Sequence, residues 1–140
     1  MTNTVTTTTL VRNPNRVVLY VTVLSDGSEE TDLVVYDSSA QSALIKTQSG
    51  LANVDPLDCK IRALKYSSNS VAGIFTLKFV ASTPVLAWPL GVGMSDSLDF
   101  SSSGGLLNYA GTGKNGDITL TTTGLANGDS LAFLIDVVPF

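Results

Sequence analysis

Residues 16–24 read RVVLYVTVL. β-Branched and aromatic side chains fill the stretch, and both alternating sets of positions are apolar. Successive side chains of a strand point to opposite faces, so this pattern predicts a β-strand covered on both sides. Its neighbours carry the same period of two. In GIFTLKFVAS (73–82), Phe75, Leu77 and Phe79 fall on one face and Thr76 and Lys78 on the other. SLAFLIDVVPF (130–140) places Leu131, Phe133, Ile135 and Val137 together, and DITLTTTG (117–124) sets Ile118 and Leu120 inward against Thr119 and Thr121. DLVVYD (32–37) and CKIRALKYS (59–67) read as further strands, and PVLAWPL (84–90), bounded by prolines, as a strand at an edge. Turn signals separate them at Asp26-Gly27, Gly104-Gly105, Asn115-Gly116 and Asn127-Gly128. Many short strands with glycine and asparagine turns predict an all-β single domain, a β-sandwich or jelly roll. The best helical stretch is a short one, SAQSALIKTQ (39–48).

The 140 residues suffice for one domain with a real core. Charged residues make up only 14%, against about 25% in an ordinary soluble domain. Charge keeps monomers solvated and apart, so the shortfall predicts a surface partly covered by other subunits. With a net charge of −4 the chain offers no electrostatic footprint for nucleic acid. Lys60, Arg62 and Lys65, without interleaved aromatics, read as an ordinary strand face. The chain has no histidine, which removes serine and cysteine triads that need one and the usual zinc sites. Cys59, the one cysteine, reads as a small buried hydrophobe. Neither a signal-peptide pattern nor an apolar run of membrane-spanning length is present, which predicts a soluble protein made without export.

Two segments fit a compact monomer poorly. Residues 2–9, TNTVTTTT, have strand propensity but little apolar pattern, and predict an N-terminal arm over residues 1–15, outside a sandwich over 16–140. Such an arm is disordered or pairs with the sheet edge of another subunit. The chain also finishes apolar, on Val137, Val138, Pro139 and Phe140, as if tucked against the core or a partner. A small echo, SGLANVDP (49–56) and TGLANGDS (123–130), reads as one turn solution used twice.

The densest cluster of chemistry-bearing residues is SDGSEETDLVVYD (25–37), with Asp26, Glu29, Glu30, Asp32 and Asp37. Its spacing matches a helix-flanked calcium loop poorly, leaving only a looser β-loop site as a calcium reading. A loop joining two apolar strands must be soluble, and an acidic one could face a partner's cations. Asp96 with Asp99, or Asp117 with Asp129, are the pairs that could meet as glycosidase carboxylates, but aromatics to stack a sugar are few. GTGKNGD (111–117) lacks the spacing of a phosphate loop, and the glycine-rich run around it (91–117) reads as a long flexible connection. Trp88, among Leu86, Ala87, Pro89 and Leu90, reads as a core or interface residue rather than a stacking platform.

The order of these elements resembles small β-rich structural proteins of tailed bacteriophages, the decoration or cement proteins of the head. The resemblance runs over residues 16–138 and rests on the Asp-Gly-x-Glu-Glu-Thr-Asp run at 26–32 and the Gly-Asp-Ile-x-Leu-Thr-Thr-x-Gly run at 116–124. It implies a homo-oligomer, a trimer before a dimer, bound to the major capsid protein on the outside of the virion, with no catalysis, cofactor, metal, nucleic acid or membrane. The residues then expected at interfaces are Thr6, Thr8, Leu10 and Arg12 of the arm, Asp26, Glu29, Glu30 and Asp32 of the acidic loop, and Val138 and Phe140 at the end. A sugar- or receptor-binding module of the virion, tail- or head-fibre-associated and using Trp88 or Tyr109, is the competing expectation.

Overall fold

A computed structural model describes residues 3–13, 16–39, 59–70, 73–90 and 95–139. Two antiparallel sheets face each other. The larger holds β1 (Thr4–Asn13), β2 (Arg16–Asp26), β10 (Asn127–Pro139), β4 (Cys59–Ser68) and β7 (Ser95–Asp99) in that order, with the short β8 (Leu106–Leu107) also on β4. The smaller runs β3 (Leu33–Tyr36), β9 (Ile118–Thr123), β5 (Ile74–Phe79) and β6 (Val85–Leu90).

With β1 and β8 set aside, the strands pair as nested partners: β5 with β6, β4 with β7, β3 with β9, and β2 with β10. One long hairpin, its tip at residues 80–84 and its arms rolled into two sheets, gives this order, which is that of a jelly roll. The all-β expectation holds, and PVLAWPL is an edge strand as its prolines require.

The alternation read from the sequence sets the core. Val17, Leu19, Val21 and Val23 of β2, Ile61 and Leu64 of β4, and Leu131, Phe133, Ile135 and Val137 of β10 are all buried. They meet Phe75, Leu77 and Phe79 of β5 and Ile118 and Leu120 of β9 from the opposite sheet. Each such side chain contributes about 1.5–3 kcal/mol on leaving water. Cys59 is buried, as expected of a small hydrophobe. Tyr36 lies in the same core; burial pushes its hydroxyl above the ordinary tyrosine range.

Two segments differ from the sequence reading. The N-terminal arm is a full strand of this chain: β1 pairs with β2 from Thr4↔Leu24 to Asn13↔Arg16, with a bulge at Leu10. The sandwich therefore begins at Thr4 rather than at residue 16. Its backbone pairing, not an apolar stripe, holds β1 in place, so hydropathy gave no sign of it. The glycine-rich connection likewise contains β7, a 3₁₀ turn at Ser101–Ser103, and β8. Leu98 is the partly buried residue of an otherwise exposed β7, so its strand pattern was too weak to read. Residues 40–48 of the expected helix, the first copy of the echoed turn and Phe140 lie outside the described residues.

Candidate assembly surface

Strand alternation leaves the outer face of the larger sheet to the other half of each strand. One row across five strands runs Thr8, Tyr20, Leu134, Lys65, Ser97. The next runs Thr6, Thr22, Ala132, Ser67, Ser95, and beyond it lie Thr4, Leu24 and Ser130. Tyr20 is 38% exposed and Leu24 52% exposed. The middle row is small throughout, so it leaves a trough of about 500 Å³ lined by Thr22, Leu24, Ser67, Ser130 and Ala132. Lys65 is the one charge in the two central rows.

At the far end of this face Arg16 reaches diagonally to Asp136. Its Nη2 donates to Oδ2 at 2.9 Å and its Nε to Oδ1 at 3.1 Å, and the carboxylate is nearly buried while the guanidinium is half exposed. These bonds and the facing charge hold the guanidinium above the ordinary arginine range. Asp136 is the polar residue that interrupts the apolar pattern of β10, and Arg16, the residue that opens β2, satisfies it. The pair closes one end of the face without adding net charge.

The acidic loop has a structural account. Asp26 Oδ1 accepts the Ser28 amide (3.0 Å), the turn that Gly27 permits with φ of 98°. Those Ser28 bonds hold the Asp26 carboxyl below the ordinary range. Glu29 accepts the Gly124 amide, Glu30 Oε1 accepts Asn3 Nδ2 (3.2 Å), and Asp32 Oδ1 accepts the Thr121 hydroxyl (3.4 Å). The loop backbone is stitched to the same strand: the Thr122 amide donates to the Glu30 carbonyl (2.8 Å), and the Glu30 amide to Thr122 Oγ1 (2.8 Å). The acids thus bind the crossing between sheets to β9 and β1. Asn3 completes the corner by accepting the Asp26 amide through Oδ1 at 3.2 Å.

The remaining singled-out residues scatter. Thr6 and Thr8 lie on the outer face of β1, Leu10 at its bulge, and Arg12 opposite Val17 near its end, all exposed. Val138 is half-buried on the outer face opposite Lys60. Asp96 and Asp99 stand three apart on β7 and so project to opposite faces. Asp117 and Asp129 sit beyond opposite ends of β9, about 20 Å of strand apart. Asp117 accepts the Ser38 amide and hydroxyl, and Asp129 the Ser70 hydroxyl and Ala126 amide. Neither pair forms a catalytic dyad. Among the described residues no cluster of three metal-ligating side chains occurs. Trp88 is partly buried and packs edge-on against Phe100 with centroids 5.2 Å apart. Tyr109 is 61% exposed, with its hydroxyl fixed on the Leu86 carbonyl at 2.6 Å.

Sequence reasoning missed Leu134 and Ala132 as surface residues, although their positions between the core residues of β10 carry no polar side chain before Asp136. For Tyr20 and Leu24 the signal was present in RVVLYVTVL. That pattern asked for cover on both sides; the smaller sheet covers the inner one, and on the outer one Val18 is buried while Tyr20 and Leu24 stay exposed. No family model, curated protein or solved structure matches this chain.

Proposed function

We propose that this protein is a capsid decoration (cement) protein, which binds the outer surface of an assembled bacteriophage head and lays the outer face of its larger sheet on the major capsid protein. The observation that carries the reading is that face: Tyr20 and Leu24 are exposed and Leu134 is half-buried among threonines and serines, in a chain unusually poor in charge. The resemblance in residues 26–32 and 116–124 supplies the class of partner. The jelly-roll order is one that capsid proteins and lectins share, and it supports the fold alone.

The function would follow from mass action. A protein that binds the closed lattice and not free subunits stabilises the lattice by the free energy of its own binding, multiplied over many copies. A charge-poor, half-apolar sheet face suits that task because it buries area without desolvating many charges. The test is co-sedimentation with expanded phage heads that lack a decoration protein. The protein should pellet at a saturating ratio set by the lattice symmetry, and Tyr20→Glu/Leu134→Glu should stay in the supernatant. Wild-type protein left in the supernatant, or a double variant that pellets as well as wild type, would remove the reading.

A further inference from the structure

Among the described residues the two sheets have four edges, and three are blunted against further pairing. β6 carries Pro89 within it and a bulge opposite Leu77 and Lys78. β3 has four residues, a bulge, and Asp32 at positive φ just before it. The far edge of β4 is taken by the five residues of β7 and the two of β8, split by a 3₁₀ turn and bearing Asp96 and Asp99. Short strands, prolines, bulges and charges are the means by which proteins blunt their edges. β1 has only the bulge at Leu10 and a single charge, Arg12, near its end. It is ten residues long, contains no proline, lysine or acid, and pairs on one side only among the described residues. Residues 6–12 are exposed throughout.

The occupant is written in β1 itself. Laid antiparallel on a second copy with Thr7 on the two-fold axis, Thr6 meets Thr8 on the outer face and Val5 meets Thr9 on the inner one. With Leu10 as the bulge residue, Arg12 then lies opposite Asn3 of the other copy. That asparagine holds the Glu30 carboxylate and the Asp26 amide. The symmetry therefore carries each Arg12 away from its own equivalent and onto the acidic corner of its partner, twice per pair. β7, the other edge of this sheet, is half as long and acidic, and matches less of β1.

We propose that β1 is a self-association edge, through which two copies of this chain join their larger sheets into one continuous sheet about a two-fold axis. The outer faces of the two copies then lie side by side, and the contact gives assemblies of even number, the dimer in place of the trimer that the resemblance puts first. The inference stands whether or not the partner of the outer face is a phage head, since its test uses the purified chain alone.

Sedimentation velocity over a wide concentration range should show a reversible dimer. Thr6→Lys/Thr8→Lys sets like charges directly opposite each other and should weaken it about ten-fold or more while the β circular dichroism is unchanged. Arg12→Glu should weaken it, and adding Glu30→Arg should restore it. Thr7→Cys, in a chain whose one other cysteine is buried, should oxidise to a disulfide-linked dimer, because directly opposed residues lie about 4.5–5.5 Å apart. A wild-type chain that stays monomeric throughout, or a dimer unmoved by the two lysines, would overturn the proposal.

Discussion

β10 presents two rows of side chains that differ little in sequence and greatly in surroundings. Leu131, Phe133, Ile135 and Val137 point between the sheets and are 1% exposed or less. Ala132, Leu134 and Val138 point the other way and stay half-buried, with Asp136 among them tied to Arg16. β2 repeats the contrast: Val21 and Val23 inside, Tyr20 and Leu24 out. A period of two says which residues share a face, and composition says how apolar the face is. Neither says what covers it. In β2 and β10 the inner set is buried between the sheets, while on the outer side Val18 and Asp136 are buried and Tyr20 and Leu24 stay exposed.

The contrast can be broken most forcefully from inside. Phe133→Ala opens a cavity between the sheets and should cost about 3–5 kcal/mol in a urea titration. The same measurement on Leu134→Ser, one residue along on the opposite face, should show a change within about 1 kcal/mol, with the penalty appearing in capsid binding instead. Comparable losses of stability for both would mean that the outer row is structural and the two faces are equivalent.

The smallest effect sharpens the account of the acidic loop. Asp26 and Asp99 accept hydrogen bonds from Ser28 and Ser101 that hold both carboxyls below their ordinary range. A carboxyl with a depressed folded-state value stabilises the fold above the ordinary carboxylate range, and that contribution is lost as pH falls through the folded value. Thermal melts taken down the acid limb should therefore fall less steeply for Asp26→Asn/Asp99→Asn than for wild type. Identical acid limbs would show that these bonds give the carboxylates no preference for the folded chain.

Much of the architecture was legible in the sequence because inward positions recur every second residue: each expected inward residue of β5, β9 and β10 is buried, although Thr119 of β9, expected to face outward, is buried as well. What escaped was held by backbone. β1 has a nearly uniform threonine face and β7 one partly buried leucine, so both join the larger sheet through ladder bonds that hydropathy does not record. The acidic run was visible as a cluster, but its purpose was not. Its partners, Thr121, Thr122 and Gly124, lie some ninety residues away in sequence and meet it only when the hairpin rolls. The outer face of the larger sheet was half legible: RVVLYVTVL announced a second apolar side, while Ala132 and Leu134 were hidden between the core positions of β10.

The most direct test of that face uses the four tyrosines as reporters. Tyrosine-selective labelling read by mass spectrometry should modify Tyr20 and Tyr109 in the free chain and spare the buried Tyr36 and Tyr66. On chains co-sedimented with phage heads, the account predicts that Tyr20 becomes protected while Tyr109 reacts as before. Tyr20 equally reactive on and off the head, or protection confined to Tyr109, would contradict it.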